Sequence, residues 1–287
     1  MSYREKEGTK IPMIDLSTKI DEIIFSIIDL ETTGFNPQKG DKICEIALMK
    51  VKNFNEIFRY QTLINPGISI SSESSFVNGI TDDMVQDSPF FRDITNDLTE
   101  MTMGTVLVFH NAVFDTGFIN FEMGKSGKQP FENQIVDTLI LSRKFFEFPS
   151  NSLGNIARFL KIKHENLHRA LGDVIVTHHI LNYLLKELII KEKIVILDDL
   201  LRAQGISFQY TDHCIEEIPP DLVKAILNKT AVKIRYITKL GEESVRIVKP
   251  IEITEFRQSL YLIANCSEKN EQRTFKLNRI KNIDTKF

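Results

Sequence analysis

The apolar positions in the N-terminal two thirds of the chain form runs that predict five strands. The segment EIIFSIIDLETTG (22–34) is apolar and β-branched and ends in a turn, which is typical of a buried strand. DKICEIALMKVK (41–52) and EIFRYQTLIN (56–65) follow, and three successive strands predict an antiparallel meander. TVLVFHN (105–111) predicts a fourth strand, and QIVDTLILSRKFF (134–146) predicts a fifth that continues as a helix.

Helical patterns separate the later strands. Thr81 and Ser152 are candidate N-caps of short helices, and Gly104 ends another helix. A long helix with apolar periodicity is predicted from about Ala170 to about Lys193. A meander followed by alternating helices and strands predicts an α/β domain, with a mixed sheet flanked by helices.

The pattern changes at Ala231, where apolar and polar residues alternate with a period of two between closely spaced turn residues. This alternation predicts a small antiparallel sheet or barrel. The segment before it contains a glycine, a proline pair and scattered charges, which indicates a connector with a helix at its end. The predicted organisation is a leader, an α/β domain, a connector and a small β domain, over residues 1–21, 22–193, 194–228 and 229–287.

Charge is distributed unevenly between these parts. Residues 229–287 contain 13 Lys and Arg against 7 Asp and Glu, a balance of +6. The rest of the chain has the remaining 23 of 36 basic and 32 of 39 acidic residues, a balance of −9. A basic domain on an acidic body indicates an anionic partner, although ordinary surface chemistry gives the same count in a small domain.

The cysteines and the hydropathy pattern narrow the class of protein. Cys44, Cys214 and Cys266 are widely spaced, with no CxxC motif, so neither a disulfide framework nor a zinc site is expected. The first residues lack the apolar core of a secretory signal. No uninterrupted apolar run approaches the ~18–20 residues of a membrane span. We therefore expect a cytoplasmic protein with no membrane partner.

Two carboxylates close the first predicted strand. Asp29 and Glu31 are two positions apart, and residues two apart on a strand point to the same face. Such a pair at the end of a buried strand is unfavourable unless a cation compensates its charge. Carboxylate oxygens suit Mg²⁺ or Mn²⁺ rather than zinc. The alternative is an exposed acidic turn.

Three further residues extend this candidate site. Asp115 follows another apolar strand, where it could equally be a helix N-cap. Asp173 fits the first turn of the long helix, where a helix dipole favours any acid. His168 lies five residues earlier, on the predicted loop, and could be an ordinary loop histidine. Taken together, four carboxylates and one histidine fit a two-metal site better than they fit separate structural roles.

The motifs DLETTG (29–34), HNAVFD (110–115) and HRALGD (168–173) resemble the three exonuclease motifs of the DnaQ-like superfamily, in its histidine-containing (DEDDh) branch. The resemblance covers about residues 22–190 and includes proofreading exonucleases of bacterial replicative polymerases. It implies a ribonuclease H-like fold and 3′→5′ exonuclease activity. One departure is Asn78, where the family often has histidine.

The resemblance also implies roles for individual residues. Asp29, Glu31, Asp115 and Asp173 would hold two Mg²⁺ or Mn²⁺ ions, and His168 would deprotonate the attacking water. Glu31 would also meet the 3′-terminal sugar. The residues expected to contact substrate are Thr32, Thr33, Gly34, Phe35, Asn111 and Phe114. Phe35 and Phe114 could stack on or wedge terminal bases, although core packing is the alternative for Phe114.

The C-terminal segment resembles the WYL domain, a small SH3- or Sm-like β-barrel found in bacterial regulators. The RxFxLxRI ending is present over residues 273–280, whereas Leu260 replaces the signature tryptophan. The resemblance implies a basic groove for nucleic acid or a small anionic ligand. The candidate groove residues are Tyr236, Arg246, Tyr261, Arg273 and Arg279. Barrel packing is the alternative for the two tyrosines.

These observations lead to one expected function and several rivals. The expected protein is a metal-dependent 3′→5′ exonuclease that acts on DNA, preferably single-stranded, with a WYL-like domain that binds nucleic acid or a ligand. An exoribonuclease and a dedicated polymerase proofreader are alternatives within the same chemistry. A folded C-terminal domain favours a repair, RNA-processing or defence nuclease over a proofreader. A non-catalytic sensor that acts through the WYL-like domain is the alternative from another class.

Overall fold

The structure is a computed structural model that describes residues 13–163, 169–205, 219–238, 242–256, 259–267 and 271–285. The chain divides into two compact units, Met1–Gln209 and Tyr210–Phe287. In the part of the chain that is described, no helix has the length and apolar character needed to cross a bilayer.

A five-stranded mixed sheet forms the centre of the N-terminal unit. Its strands are β1 (Ile24–Thr32), β2 (Ile43–Lys52), β3 (Asn55–Leu63), β4 (Val106–Phe109) and β5 (Ile135–Asp137). The spatial order is β3-β2-β1-β4-β5, which makes β1 the central strand. β1, β2 and β3 are antiparallel neighbours, whereas β4 runs parallel to β1 and β5 parallel to β4. The predicted meander and mixed sheet are confirmed.

Helices connect and flank these strands. They are α1 (Ser72–Asn78), α2 (Asp82–Val85), α3 (Phe91–Thr102), α4 (Ala112–Lys125), α5 (Thr138–Phe145), α6 (Leu153–Phe159), α7 (Ala170–Glu192) and α8 (Leu197–Gln204). Thr81 and Ser152 occupy the N-cap positions of α2 and α6, but neither side chain accepts a capping hydrogen bond. The long helix predicted from about Ala170 is α7.

The side chains of β1 divide between two hydrophobic cores. Phe25 and Ile27 pack in the core that α7 covers, whereas Ile28 and Leu30 pack in the core beneath α3 and α4. Successive residues of a strand point to opposite faces. The row that begins with Phe25 and Ile27 therefore continues as Asp29 and Glu31, on the α7 side of the sheet.

Helix α8 packs with the N-terminal unit, although the sequence pattern placed it in the connector. Leu197 and Leu200 are fully buried in the same core as α7. The Gln204 side chain accepts the backbone N–H of Asp137 and donates to the carbonyl of Ile135. The observed boundary of this unit lies near residue 209 rather than at the predicted residue 193.

The C-terminal unit is an antiparallel sheet with one described helix. The helix is α9 (Pro220–Leu227), and the strands are β6 (Val232–Ile237), β7 (Glu243–Phe256), β8 (Ser259–Cys266), β9 (Glu271–Lys276) and β10 (Ile280–Asp284). The strand order is β10-β6-β7-β8-β9. Leu222 and Ala225 of α9 are buried in the core of this sheet, so the helix expected at the end of the connector belongs to this unit.

The predicted closed barrel is not found among the described strands. A barrel would require the two edge strands, β9 and β10, to pair with each other. A 3₁₀ turn at Leu277–Arg279 separates them, and β9 pairs with β8 whereas β10 pairs with β6. The antiparallel sheet that the alternation predicts is confirmed, whereas the SH3- or Sm-like barrel stays a prediction.

Candidate active site

Three of the predicted acids meet at the end of the central strand. Each of Asp29, Glu31 and Asp173 offers a carboxylate oxygen, and these atoms all lie within 4.8 Å of one another. Asp29 and Glu31 come from β1, and Asp173 comes from the first turn of α7. The three side chains are half-buried. The packing of α7 on the Asp29 face of the sheet thus brings together residues that are more than 140 positions apart in the sequence.

Asp115 completes the acidic set from the other side of β1. It lies in the first turn of α4, is only 4% exposed, and accepts a hydrogen bond from the backbone of Leu30. Its charge raises the pKa of Asp29, after the larger contributions of desolvation and of Asp173. Asp115 is therefore close to the β1 acids, although it does not belong to the three-residue group defined by the 4.8 Å limit.

Surrounding protein and mutual repulsion disfavour the charged forms of these acids. Desolvation is the main cause that raises the pKa of Glu31 to about 8, and the charges of Asp173 and Glu45 add to it. Desolvation also raises the pKa of Asp29 and of Asp115 well above their ordinary values. Clustered acids of this kind bind a divalent cation favourably, because the cation replaces the missing solvation and cancels the repulsion. An all-oxygen donor set fits Mg²⁺ or Mn²⁺.

A buried aspartate that sequence reasoning missed sets the position of Asp115. Asp137, at the end of β5, accepts the backbone N–H groups of Asn111 at 3.1 Å and Ala112 at 2.9 Å, and it caps α5 through Leu139. Asn111 adopts a left-handed conformation with φ +81° at the N-cap of α4. The backbone of Asn111 thus has a structural role at the start of the helix that carries Asp115. Its predicted substrate contact stays a prediction.

The loop after β1 is held in place largely through its backbone. The Thr33 N–H donates to the carbonyl of Lys42, and the Thr33 carbonyl accepts the Ser74 hydroxyl at 2.7 Å. The Thr32 hydroxyl donates to the carbonyl of Gly34 at 2.6 Å. A Cβ at Gly34 would lie 2.3 Å from the Asp41 carboxyl carbon, so any other residue there would force the Asp41 side chain to move.

Two predicted stacking residues form an aromatic row beside this loop. Phe35 is 36% exposed, and its ring meets that of Phe114 edge-on at a centroid distance of 6.2 Å. The Phe114 ring in turn contacts the buried ring of Phe118 at 5.1 Å. Phe35 therefore presents an aromatic surface to solvent, whereas Phe114 supports it from the core side.

Asn78 and Glu45 also lie near the acids, although the sequence motifs give neither residue a role. The Asn78 amide donates to Glu31, and its carbonyl oxygen accepts the N–H of Ile80 at 3.0 Å. Glu45 lies directly opposite Glu31 in the β1–β2 register. Burial raises the pKa of Glu45, but hydrogen bonds from Arg169, Ala170 and Gln61 outweigh it, so the pKa lies below its ordinary value.

His168, the predicted general base, lies outside the described residues, as does His164. Two of the other histidines have structural contacts. The His110 ring contacts the Thr138 hydroxyl at 2.8 Å and the Asn151 carbonyl at 3.0 Å, and burial lowers its pKa to about 4. His178 contacts the Phe54 carbonyl at 3.0 Å. Neither group was assigned to catalysis from the sequence.

The strand register divides the predicted groove residues of the C-terminal unit between two faces. Tyr236 faces Ser244, Arg246 faces Ile234, and Arg273 faces Ala264, so these side chains share the face that contains the core. Tyr261 pairs with Lys276 on the opposite face. Arg279 lies in the 3₁₀ turn before β10. Tyr236 packs edge-on against Phe275 at 5.2 Å, which matches the packing role weighed for it.

A mixed five-stranded sheet with acids clustered at the end of its central strand defines the ribonuclease H-like exonuclease fold. The model of the RNase_T exonuclease family matches residues 26–181, more than half of the chain, and the chain belongs to this family. Residues 217–285 match the model of the WYL domain. Both resemblances inferred from the motifs are confirmed.

Relatives of known name agree with this assignment. The chain is 35% identical over 165 residues to the 3′-5′ exonuclease DinG of Bacillus subtilis, covering 57% of this chain and 18% of the relative. It is 30% identical over 277 residues to the PolC-type DNA polymerase III of Clostridium perfringens, covering 92% of this chain and 18% of the relative. The chain thus spans less than a fifth of the length of either relative.

Solved structures share the fold. The E. coli ExoI–ssDNA complex in its zinc-bound form has a TM-score of 0.54 at 17% identity, covering 84% of this chain and 54% of that one. The nuclease domain of 3′hExo, a DEDDh family member bound to rAMP, has a TM-score of 0.52 at 19% identity, covering 58% and 93%. At these identities the likeness concerns the fold alone.

Proposed function

We propose that this chain is a metal-dependent 3′→5′ exonuclease that releases nucleotides from the 3′ end of single-stranded DNA. The observation that carries the proposal is the convergence of Asp29, Glu31 and Asp173 within 4.8 Å, with Asp115 close to them. The arrangement supplies the acids of the DEDDh pattern, and the fifth position of that pattern is His168. The names of the relatives support exonuclease chemistry.

The proposed mechanism assigns a role to each of these residues. Asp29, Glu31, Asp115 and Asp173 hold two Mg²⁺ or Mn²⁺ ions. When bound, such ions stabilise charge on the attacking and leaving oxygens. His168 accepts the proton of the attacking water, since an imidazole titrates near neutral pH. Phe35 stacks on the terminal base, and the backbone of Thr32–Gly34 lines the nucleotide pocket.

The preference for DNA rests on the relatives rather than on a contact in the site. The ExoI relative of known structure is complexed with single-stranded DNA. The 3′hExo relative is bound to rAMP, which favours an exoribonuclease as the second candidate. Discrimination between DNA and RNA depends on whether the site accommodates and contacts the 2′-hydroxyl of the ribose. We place the protein in the cytoplasm, where the buried thiols Cys44 and Cys266 stay reduced.

A degradation assay distinguishes these candidates. The full chain is incubated with 5′-labelled single-stranded DNA and RNA of the same sequence, with Mg²⁺, Mn²⁺ or EDTA. We expect a ladder that shortens from the 3′ end, faster on DNA than on RNA, and no ladder with EDTA. Faster shortening of RNA would replace the first candidate by the second. Absence of any ladder in Mg²⁺ and Mn²⁺ would contradict the exonuclease proposal.

For the C-terminal unit we propose a nucleic-acid or small-anion site on the sheet face of Arg246 and Arg273. Both arginines are half-buried, and both share that face with Tyr236. Guanidinium groups beside an aromatic ring suit phosphate pairing and base stacking. Arg273 also pairs with Glu271, so a bound anion would compete with this carboxylate.

Substitution of Arg246 and Arg273 measures how much this face of the sheet contributes to nucleic-acid binding. Arg246→Ala and Arg273→Ala are expected to weaken binding of single-stranded DNA, and to lower the salt dependence of log K by about 1 for each phosphate that is no longer neutralised. Arg235→Ala is the matched control, because Arg235 faces Val245 on the other side of the same sheet. Equal effects of all three variants would indicate a general charge effect and contradict a site on this face.

A further inference from the structure

Glu45 is a fully buried carboxylate that makes four hydrogen bonds. Arg169 donates to it from Nη2 at 2.6 Å and from Nε at 3.0 Å. The backbone N–H of Ala170 donates at 3.0 Å, and the Gln61 amide donates at 2.8 Å. The side chain of Glu45 has no solvent exposure, whereas that of Arg169 is 33% exposed.

These contacts fix the chain at the point where α7 begins. Arg169 is the N-cap of α7, and Ala170 is its first residue. The Arg169 carbonyl accepts the first helical hydrogen bond, from the backbone N–H of Asp173 at 3.1 Å. Arg169 also directly follows His168 in the sequence. Arg169, which Glu45 binds, therefore lies in the sequence between the proposed general base His168 and the proposed metal ligand Asp173.

Strand pairing also places the Glu45 carboxylate beside the acids of β1. Glu45 is the cross-strand partner of Glu31, and residues directly opposite in an antiparallel pair project from the same face. Strand pairing and hydrogen bonds thus link Glu31 on β1, Glu45 on β2, Arg169, and Asp173 on α7. Glu45 is a further acid beside Asp29 and Glu31, and its charge adds to the repulsion that Asp173 and Asp115 already cause. Electrostatics within the acidic cluster therefore does not account for its presence.

We propose that Glu45 and Arg169 are positioning residues of the exonuclease, a clamp that sets Asp173 against the acids of β1. This inference rests on the proposed exonuclease function. Neither residue needs to touch substrate or metal, because each acts through the backbone at the start of α7. The bidentate geometry suits this task, since it fixes orientation as well as distance.

The clamp is tested by Glu45→Gln, Arg169→Gln and the double variant, with Arg169→Lys as the conservative change. We expect each single variant to lose about tenfold to a hundredfold in kcat, with little change in KM for single-stranded DNA. The double variant should lose no more than the worse single variant, because both remove the same interaction. Arg169→Lys should retain part of the kcat that Arg169→Gln loses, since lysine keeps the positive charge but not the bidentate geometry.

Mn²⁺ binding gives a readout that does not require activity. Mn²⁺ is titrated into wild-type protein and into each variant without nucleic acid, and the paramagnetic resonance signal of free Mn²⁺ measures the unbound fraction. Because Asp173 is one of the proposed ligands, the clamp variants should bind Mn²⁺ about tenfold more weakly. Glu45→Gln retains a carbonyl oxygen for the Ala170 N–H, and thermal unfolding verifies that each variant folds.

Leu188→Ala is the matched control for a purely structural effect. Leu188 is buried in the same core at the far end of α7, roughly 20 Å along the helix from Asp173. Its truncation should lower the unfolding temperature, because it leaves a cavity in the core, but leave kcat and Mn²⁺ affinity unchanged. Clamp variants with wild-type kcat and Mn²⁺ affinity would overturn the inference. If wild-type protein cleaves nothing, the exonuclease proposal fails, and Mn²⁺ affinity alone decides whether the clamp positions Asp173.

Discussion

Alanine in place of both Asp29 and Glu31 is expected to abolish cleavage and to leave nucleic-acid binding largely intact. The two residues provide half of the four acids and two of the three carboxylates that lie within 4.8 Å of one another. Loss of one of the proposed metal ions would remove several kcal/mol of transition-state stabilisation, which corresponds to a loss of at least about 10³-fold in rate. Nucleic-acid binding should persist because this variant leaves Phe35, Arg246 and Arg273 unchanged.

The experiment compares single-turnover cleavage of 5′-labelled DNA with equilibrium binding of the same strand. Asp83→Ala is the matched control, since Asp83 is an exposed acid in α2 outside the cluster. Cleavage by the double variant at a rate near that of wild type would contradict the assignment of the site. If the biological role of the protein survived this substitution, the alternative of a non-catalytic sensor would gain support.

The metal-free protein is expected to lose stability as the pH rises, and divalent cations should reverse this loss. The pKa of Glu31 is raised from 4.5 to about 8 in the folded chain, mainly by desolvation. Folded Glu31 therefore keeps its proton at pH values where the unfolded chain has already released it. Its contribution to the free energy of unfolding is complete below about pH 4.5, and disappears as the pH rises through about 8.

The size of this effect makes it measurable by calorimetry. The shift at Glu31 alone corresponds to a few kcal/mol, on the order of 1.4 kcal/mol for each pH unit, and the raised pKa values of Asp29 and Asp115 act in the same direction. Mn²⁺ requires deprotonated ligands, so its stabilising effect should grow between about pH 5 and pH 8. A saturating concentration should raise the unfolding temperature of the N-terminal unit by on the order of 5–10 °C.

The matched variant for this prediction is Asp29→Asn with Glu31→Gln, which keeps shape but removes two charges. In EDTA its stability should depend less on pH than that of wild type, and Mn²⁺ should no longer raise its unfolding temperature. The interpretation fails if wild-type protein in EDTA becomes more stable between about pH 5 and pH 8, since raised carboxyl pKa values require the opposite slope.

The proximity of Asp29, Glu31 and Asp173 could be predicted from the sequence because their positions follow from local rules. The two-residue spacing of Asp29 and Glu31 puts them on one face of any strand, and Asp173 falls in the first turn of a helix that periodicity reveals. The Glu45–Arg169 ion pair could not be found in this way, because 124 positions separate its partners. Only the packing of α7 across β1 and β2 brings them together.

Other differences have similar physical causes. Helix α1 is short and polar, and it has no apolar periodicity that a sequence pattern could detect. Asp137 looks like the end of a strand, whereas its four backbone hydrogen bonds depend on the approach of α4 and α5. Barrel closure could not be established from the sequence, because period-two alternation specifies strands but not whether β9 and β10 pair.

The dependence of the site on α7 also has a consequence for the order of folding. Asp29, Glu31 and Asp115 belong to the first 115 residues, but their fourth partner is contributed by a helix that spans residues 170–192. Contacts between such distant segments form late, because a long loop must close first. A nascent chain that ends before α7 therefore has three of the acids but no assembled centre. The proposed exonuclease activity would consequently report completed tertiary structure in this unit, and it should appear only after α7 has docked.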